Sequence, residues 1–328
     1  MAVLVLTEPE LRQCARIDVT SLAAVENAFT WLAQDRVVMP PIMHIELADR
    51  NGDVDIKSAY VRGLNRFAVK LGSGFFDNPA RGLPSSSAMM VVLSAETGLC
   101  EAVLLDNGYL TDLRTGLAGA VAAKYLALAR VPTVGIIGAG VQARYQLQCL
   151  QLVRDFERVI VFGRTAERTR AYVDEMRAQL GVTIEAAASA RAVVEASEVV
   201  VTTTPSRDAV IQAEWLHPGL HITAVGSDLA GKQELAPEVL TAAQRVVCDR
   251  RAQCATMGEL QHAIERGWLT EPASTIELGE LTSGKIAGRS NDGDITVCDL
   301  TGTGVQDTAI AMVALDGAAQ LDFGTRVG

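Results

Sequence analysis

Short apolar runs alternate with segments of helical spacing through the middle of the chain. The runs predicted as strands are residues 134–137, 159–162, 183–186, 199–203, 222–225 and 246–248. Helices are predicted between them, at residues 142–153, 166–180 and 190–196. Strands that alternate with helices in this way predict an α/β fold with a doubly wound parallel sheet.

The first third of the chain has a different pattern. Strands are predicted at residues 1–7, 54–60, 67–71, 88–93 and 102–105, with a helix at 20–34. An alanine-rich helix follows at 112–129, and a last helix, at 306–319, comes after the alternating region. We expect that last helix to return to the first domain. A smaller α+β domain of residues 1–120 and 308–328 is then interrupted by a Rossmann domain of residues 121–307.

Composition narrows the class of protein. The chain has 328 residues, is 49% hydrophobic and 21% charged, and carries a net charge of −10. This charge disfavours binding to nucleic acid or to anionic membranes, and no apolar run reaches the ~18 residues of a membrane span. The cysteines are scattered and the histidines lack metal-ligand spacing. We therefore expect reduced thiols, no metal site and a cytoplasmic location.

A glycine-rich loop follows the apolar run at 134–137. The cofactor-binding candidates in it are Gly138, Gly140, Val141, Gln142 and Ala143. The first glycine suits a tight turn, the second lets the backbone approach a pyrophosphate, and the small alanine lets the next helix pack closely. The helix N-terminus then favours the anion. A dinucleotide site is the prediction, and a purely structural turn is the alternative.

The next strand ends at Arg164 and Thr165, with Arg168 one turn later. Enzymes that prefer NAD usually place an acidic residue here, to accept hydrogen bonds from the ribose hydroxyls. This chain has arginines instead, whose guanidinium groups match the oxygens of a 2′-phosphate. We expect a preference for NADP(H), with NAD(H) possible; the alternative is a solvated loop arginine.

Two later strands end at the same edge of the predicted sheet. Cofactor-binding candidates there are Thr203, Thr204, Pro205, Gly226 and Ser227. Asp228 follows directly, where an acid in apolar surroundings could transfer a proton. It could equally cap a helix predicted near residues 233–240. Position alone leaves both interpretations open.

Two cations in the smaller domain are candidates for anion binding. Lys70 ends an apolar strand, and Arg114 begins the long helix with Thr115 beside it. Together they could converge on a substrate carboxylate or a cofactor phosphate. Taken singly, each is more typical of a surface salt bridge. Asp307 is expected to start the last helix, where an acid is favourable.

These segments together resemble the ornithine cyclodeaminase/mu-crystallin family over nearly the whole chain. The resemblance rests on GYLTDLRT at 108–115, GAGVQA at 138–143, and GSD at 226–228 followed by Glu234 and Leu235. The segments KLGSGFFDNP at 70–79 and CDLTGTGVQD at 298–307 are most similar to its ectoine-utilisation branch. The family implies an NAD(P)-dependent homodimer, built from a Rossmann domain and a substrate-binding and dimerisation domain.

The resemblance also implies roles for individual residues. Asp228 would transfer protons, while Lys70 and Arg114 would hold the substrate carboxylate, with Lys70 counted among the catalytic residues. Arg114 and Thr115 would lie near the cofactor phosphates, and Asp55 matches an acidic position of the pocket. His44 stands at or next to a position where the family usually has arginine, so a weaker or pH-dependent carboxylate site is expected. Lys57 and Ser58 replace residues that are often Met and Pro, which indicates a modified pocket.

The expected function is an NAD(P)H-dependent oxidoreductase that acts on the C–N bond of small α-imino or α-amino acids. The first alternative is a redox-neutral cyclodeaminase with bound NAD, for which the branch resemblance implies a role in ectoine or hydroxyectoine catabolism. The second is a non-catalytic protein that binds NADP or another small ligand. The presence of Lys70, Arg114 and Asp228 together argues against the second alternative.

Overall fold

The computed structural model describes residues 2–268 and 275–328. Its strands are β1 (Val3–Thr7), β2 (Val37–Val38), β3 (Met43–Leu47), β4 (Gly52–Val61), β5 (Arg66–Phe75), β6 (Ser86–Ser94), β7 (Cys100–Leu105), β8 (Thr133–Ile137), β9 (Arg158–Phe162), β10 (Thr183–Ala186), β11 (Val199–Thr202), β12 (His221–Ala224), β13 (Arg245–Cys248), β14 (Ile276–Glu277), β15 (Thr296–Asp299) and β16 (Thr325–Val327). Its α-helices are α1 (Glu8–Cys14), α2 (Val19–Ala33), α3 (Tyr109–Leu126), α4 (Val141–Leu150), α5 (Ala166–Leu180), α6 (Ala190–Glu195), α7 (Pro237–Ala242), α8 (Arg251–Met257), α9 (Glu259–Glu265), α10 (Leu278–Thr282) and α11 (Gly304–Leu321).

The chain divides into two compact units. Unit 1 is Met1–Arg114 with Thr303–Gly328, and unit 2 is Thr115–Gly302. These boundaries lie a few residues before the expected ones at 120/121 and 307/308. The first falls inside α3, which continues through it without a break. A boundary within one continuous helix leaves no interruption of the apolar pattern, so the sequence gives no sign of its position.

Unit 1 is built on a largely antiparallel sheet. The strand order is β16-β1-β7-β6-β5-β4-β2, with β3 also pairing with β4, and β1 runs parallel to β7. Helix α11 packs on one face, where the Thr308 hydroxyl donates to the Ala59 carbonyl (2.8 Å) and accepts from the Ala68 amide (3.1 Å). A Cβ at Gly304 would lie 2.5 Å from the Ser58 carbonyl oxygen, so this glycine permits the close approach of helix and strand.

The opposite face of the same sheet is apolar but less buried. Because side chains alternate along each strand, one set of residues shares this face. Its exposed members include Met43, Ile45, Met89 and Leu105, and its half-buried members include Val54, Ile56, Val69, Leu71 and Val91.

Unit 2 confirms the expected doubly wound parallel sheet. The order is β10-β9-β8-β11-β12-β15-β13-β14, and every neighbouring pair is parallel. Strands β8, β11, β12 and β15 are buried along their whole length, as expected for parallel strands covered on both faces. The strand order reverses between β8 and β11, and ligands of such sheets bind in the crevice at that point.

Several predicted element bounds need correction. The long helix starts at Tyr109 and ends at Leu126 rather than spanning 112–129, and α4 ends at Leu150 rather than at 153. The helix expected at 233–240 begins at Pro237, because Leu235 forms a bridge with Ile211 in extended conformation. Strand β3 and helices α8 to α10 were not predicted at all. No helix of the described residues is long and apolar enough to cross a membrane.

Candidate active site

The glycine loop joins β8 to α4 at the reversal of strand order. Gly138 has a φ of +112°, its amide donates to the Phe162 carbonyl (2.8 Å), and a Cβ there would lie 2.5 Å from Thr203 Oγ1. Any residue other than glycine would be strained at this position. Gly140 is the N-cap of α4 and offers no side-chain cap, and a Cβ on it would point into open space. The first turn of α4 thus presents its amide groups to an anion.

A side chain that the sequence did not single out fixes this loop. Arg144 donates to the carbonyls of Ala139 (3.1 Å) and Gly140 (2.9 Å) and forms an ion pair with Glu175 at 2.6 Å. Ala143 is fully buried, and its carbonyl accepts from the Tyr172 hydroxyl (3.0 Å). The loop is therefore held from both its own helix and α5.

Eight of the predicted cofactor-binding residues line one cleft of about 310 Å³ in unit 2. They are Gly138, Gly140, Arg164, Thr165, Arg168, Thr203, Thr204 and Pro205. Arg164 and Arg168 are exposed, and Thr165 is the N-cap of α5. Val141 and Gln142 lie in the first turn of α4 and do not line this cleft. A glycine turn, an open helix N-terminus and two exposed guanidinium groups fit an anionic dinucleotide.

A buried carboxylate holds two further loops at the carboxyl edge of the sheet. Glu234 is fully buried and accepts from the Thr202 hydroxyl (2.6 Å), the Gly226 amide (2.7 Å) and the Thr204 amide. Burial raises the pKa of Glu234, although these hydrogen bonds act in the opposite direction. The loops that carry Thr203 to Pro205 and Gly226 to Asp228 are thereby fixed to each other.

Asp228 follows these residues and is paired with a lysine. Its Oδ1 lies 2.7 Å from the Lys232 ammonium, and its side chain is 48% exposed, against 13% for Lys232. The Lys232 carbonyl accepts from the Ser227 hydroxyl (2.8 Å) and contacts His262 Nε2 at 2.7 Å. The alternative that Asp228 caps the next helix is wrong, because the N-cap of α7 is Ala236. Asp228 instead lies directly before a turn in which the Lys232 amide donates to the Leu229 carbonyl (3.1 Å), and this turn positions Lys232 beside it.

The two candidate cations of unit 1 meet at one carboxylate. Lys70 Nζ lies 3.1 Å from Asp307 Oδ2, and Arg114 Nε lies 3.0 Å from Asp307 Oδ1. All three residues are buried, so the alternative of two surface salt bridges is wrong. Asp307 does lie in the first turn of α11, as expected, but its carboxylate is the shared partner of both cations. Lys57, also buried, stands directly opposite Lys70 in the β4–β5 register.

The electrostatics of this cluster follow from burial and from its surplus of cations. Burial lowers the pKa of Lys70 to about 8, and the charges of Arg114 and Lys57 lower it further, whereas the charge of Asp307 raises it. Burial raises the pKa of Asp307, but the three cations outweigh it and hold that pKa below its ordinary value. Burial also raises the pKa of nearby Asp106 to about 6.

The remaining candidates lie in two other places. His44 on β3 and Asp55 on β4 face each other, with Nδ1 2.7 Å from Oδ1 and side chains 40% and 20% exposed. Thr115 belongs to unit 2, where its carbonyl accepts from Gln146 Nε2 (2.9 Å).

Sequence reasoning missed three side chains that shape the site: Arg144, Lys232 and Glu259, which accepts from the Glu234 and Leu235 amides. Glu234 was part of the family motif but received no role. For Glu234 the signal was an acid followed directly by the apolar residues Leu235 and Ala236. Its partners lie on other loops, so spacing alone could not identify them.

Sequence comparison identifies the family. The profile of the ornithine cyclodeaminase/mu-crystallin family matches residues 2–320. The chain belongs to this family. An uncharacterised cyclodeaminase of Sinorhizobium fredii is 46% identical over 98% of this chain and 97% of its own. The expected family is thus confirmed, whereas the narrower resemblance to the ectoine-utilisation branch stays a prediction.

Solved structures of other proteins agree with this membership. The Δ1-pyrroline-2-carboxylate reductase of Thermococcus litoralis, in complex with NADH and L-proline, has a TM-score of 0.94 at 30% identity and covers 99% of this chain and 100% of its own. An archaeal alanine dehydrogenase dimer with bound NAD has a TM-score of 0.92 at 34% identity and covers 100% of this chain and 99% of its own. The iminosuccinate reductase of Paracoccus denitrificans, in complex with NAD+, has a TM-score of 0.92 at 28% identity and covers 100% of both chains.

Proposed function

We propose that this member of the family is an NAD(P)H-dependent oxidoreductase that reduces the C=N bond of small α-imino acids, or oxidises the corresponding amino acids. The observation that carries the proposal is the buried cluster of Lys70, Arg114 and Asp307. Two buried cations on one acid form a prepared site for a carboxylate. The cleft of unit 2, lined by the glycine turn and two exposed arginines, and the names of the relatives support the same reaction class.

The roles of the chain's own groups follow from their chemistry. Lys70 and Arg114 bind and orient the substrate carboxylate. Asp228 exchanges a proton with the substrate nitrogen, and its ion pair with Lys232 keeps its carboxylate in one orientation. His44 and Asp55 form a polar pair on β3 and β4, and Asp55 lies two residues before Lys57 on the same strand face. A nicotinamide cofactor, when bound, would supply the hydride equivalent for reduction of the C=N bond.

The cofactor cleft supports NADP(H) over NAD(H). Gly138, Gly140, Val141, Gln142 and Ala143 would bind the pyrophosphate at the start of α4. Arg164, Thr165 and Arg168 would bind a 2′-phosphate, since the segment after β9 has arginines where NAD-binding proteins usually have an acid. Thr203, Thr204, Pro205, Gly226 and Ser227 would complete the site, together with Arg114 and Thr115 near the phosphates.

The apolar sheet face of unit 1 supports a homodimer. Ile45, Met89 and Leu105 are exposed on it, and half-buried aliphatic residues surround them. Contiguous apolar surface of this kind typically marks a protein interface. A second copy of the chain would cover it through an isologous contact. The cytoplasmic location expected from the scattered cysteines stays a prediction; all six are free.

A paired assay tests the reaction class. Purified protein would receive NADPH or NADH with a panel of cyclic and acyclic imines, and separately ornithine, lysine or 2,4-diaminobutyrate. Loss of absorbance at 340 nm with an imine supports the reductase. Ammonia release from a diamino acid without net absorbance change would instead make the chain a cyclodeaminase, as its Sinorhizobium relative is named.

Asp228→Asn tests the proton-transfer role. We expect kcat to fall about 10²–10⁴-fold, the usual contribution of a positioned acid or base. Cofactor affinity, measured by fluorescence titration, should stay within about twofold, because Asp228 does not line the cleft of unit 2. Full turnover by this variant would exclude the proposed role.

A further inference from the structure

Unit 1 contains a second cavity, apart from the residues of the proposed reaction. Its volume is about 520 Å³, which falls within the range of about 300–1,000 Å³ that is usual for small-molecule sites. Its lining comes from β1, β5, β7, the last turns of α11, the turn that follows α11, and β16. None of the residues proposed to bind the substrate or the cofactor lines it.

The turn after α11 shapes this cavity. Asp322, the C-cap of α11, has a φ of +54°, and Gly324 has a φ of +98°. A Cβ on Gly324 would lie 2.6 Å from Leu4 Cδ1, so only glycine lets the turn pass this close to β1. Strand β16 then pairs with β1, and the registers place Arg326, Leu4 and Ala102 side by side across three strands. All three residues line the cavity.

Part of the lining is apolar. Small side chains leave the space open, and larger ones form its walls. The small residues include Ala2, Ala102 and Ala318, and the larger ones are Leu4, Leu315 and Phe323. An aliphatic group fits a lining of this kind.

Four charged residues also line the cavity, and two of them are paired with each other. Arg66 on β5 and Glu101 on β7 form an ion pair. Asp322 and Arg326 are exposed, and neither forms an ion pair with a residue that the structure describes. One anion and one cation are therefore available to a ligand. A ligand with one ammonium and one carboxylate group would match both.

The position of Asp322 favours a cation on its side of the cavity. The carboxyl end of a helix carries partial negative charge, and α11 has 18 residues with no basic residue in its last turn. An acid at this end is electrostatically unfavourable unless a cation lies near it. The helix end and the Asp322 carboxylate thus attract an ammonium group to the same place.

We propose that this cavity binds a free α-amino acid with an aliphatic side chain. Asp322 and the end of α11 hold the ammonium group, Arg326 holds the carboxylate, and the apolar walls contact the side chain. Lys70 lies four residues after Arg66 on β5, about 13 Å along the strand, which separates this cavity from the carboxylate cluster. The inference does not depend on the proposed function.

A series of three ligands tests the assignment. Isothermal titration calorimetry would compare L-leucine with 4-methylpentanoate, which lacks the ammonium group, and with 3-methylbutan-1-amine, which lacks the carboxylate. We expect L-leucine to bind about tenfold more tightly than either, because each of the others lacks one charged partner.

Two substitutions separate the two charged contacts. Arg326→Gln should weaken the binding of L-leucine and 4-methylpentanoate about tenfold and spare the amine. Asp322→Asn should weaken the binding of L-leucine and the amine and spare 4-methylpentanoate. Asparagine tolerates the left-handed conformation, so the turn is preserved. The matched control is Arg16→Gln, which removes an exposed arginine of unit 1 outside the cavity and should preserve all three affinities.

The outcomes also separate this cavity from the site of the reaction. The assignment is wrong if the wild-type protein binds no aliphatic amino acid, or if neither substitution weakens the binding of L-leucine. It is also wrong if Arg326→Gln lowers kcat/KM for an imine by the same factor as the affinity for L-leucine, since the amino acid would then occupy the reaction site. Calorimetry needs no turnover, so failure of the reductase assay alone would leave the cavity assigned and change only the reaction class.

Discussion

Each of the two units buries a cluster of ionisable side chains, and the two clusters are stabilised in different ways. Unit 2 buries acids, among them Glu234, Glu259 and Asp299. Backbone amides donate to each of them: Gly226 to Glu234, Leu235 to Glu259 and Leu260 to Asp299. Unit 1 gathers cations around Asp307.

This difference distinguishes buried ionisable groups that stabilise the fold from buried groups that can bind a ligand. Burial raises the pKa of Glu259 and of Asp299 well above the ordinary values, so these groups can hold a proton and shed their charge. An arginine cannot do so, because its pKa lies far above neutrality. The acids of unit 2 therefore need no partner from outside the fold. Lys70 and Arg114 of unit 1 instead share the carboxylate of Asp307, and a substrate carboxylate would be a further partner for them.

The largest expected effect comes from removing the shared carboxylate of unit 1. Asp307→Asn leaves Lys57, Lys70 and Arg114 buried together, and loss of one partner of a buried ion pair typically costs about 3–5 kcal/mol of unfolding free energy. Asp299→Asn in unit 2 should cost less than about 1 kcal/mol, because an amide replaces a carboxyl group that favours its protonated form.

Urea unfolding of both variants at pH 6 measures this contrast. At pH 9 the cost of Asp307→Asn should shrink, because Lys70 can lose its proton there. Equal losses of unfolding free energy in the two variants would mean that the cationic cluster depends on Asp307 no more than the acidic cluster depends on Asp299. That result would remove the main argument for a carboxylate site.

The same contrast explains which features could be predicted from the sequence. The parallel sheet and the glycine loop follow from local patterns, since apolar period and turn residues act over a few positions. The residues of the cleft could be grouped because parallel strands end at one edge. The partner of Lys70 could not be predicted in this way. Asp307 lies 237 positions away and looks like an ordinary helix start.

Topology brings the remaining site residues together without any signal in their spacing. Lys57 and Lys70 become neighbours only through the register of β4 with β5. Lys232 could be noticed four residues after Asp228, but that spacing would indicate a pair only within a helix, and this segment is a turn. Pairing across a fold depends on register, which local pattern does not determine.

The second prediction uses the pH dependence of the cationic cluster. The pKa of Lys70 is about 8 in the folded protein against 10.5 ordinarily, so the residue loses its charge as the pH rises through 8. We expect kcat/KM to fall about tenfold per pH unit above that value, as one essential protonated group would produce. Lys70→Arg should move this fall of kcat/KM to higher pH. If the fall stays at the same pH in the variant, another group is responsible for it.

Stability should change with pH in the opposite direction. Between pH 8 and 10.5 the unfolded chain binds the Lys70 proton more tightly than the folded protein does, so the contribution of this residue to stability rises with pH. Lys70→Met should remove that part of the slope. The pH dependence of kcat/KM thus reports the role of the Lys70 charge in activity, and the pH dependence of the unfolding free energy reports the cost of burying that charge.

The smallest effect is expected at the exposed charges of the cofactor cleft. Arg164→Ala should weaken NADPH binding about tenfold and NADH binding much less, because only NADPH carries the 2′-phosphate. Arg170→Ala removes another exposed arginine of the same region, which does not line the cleft, and serves as the control. Equal losses for the two cofactors would contradict the preference for NADP(H). Since Arg164 is solvated, its effect on NADPH binding should decline as salt rises from 50 mM to about 500 mM, because exposed charges are strongly screened.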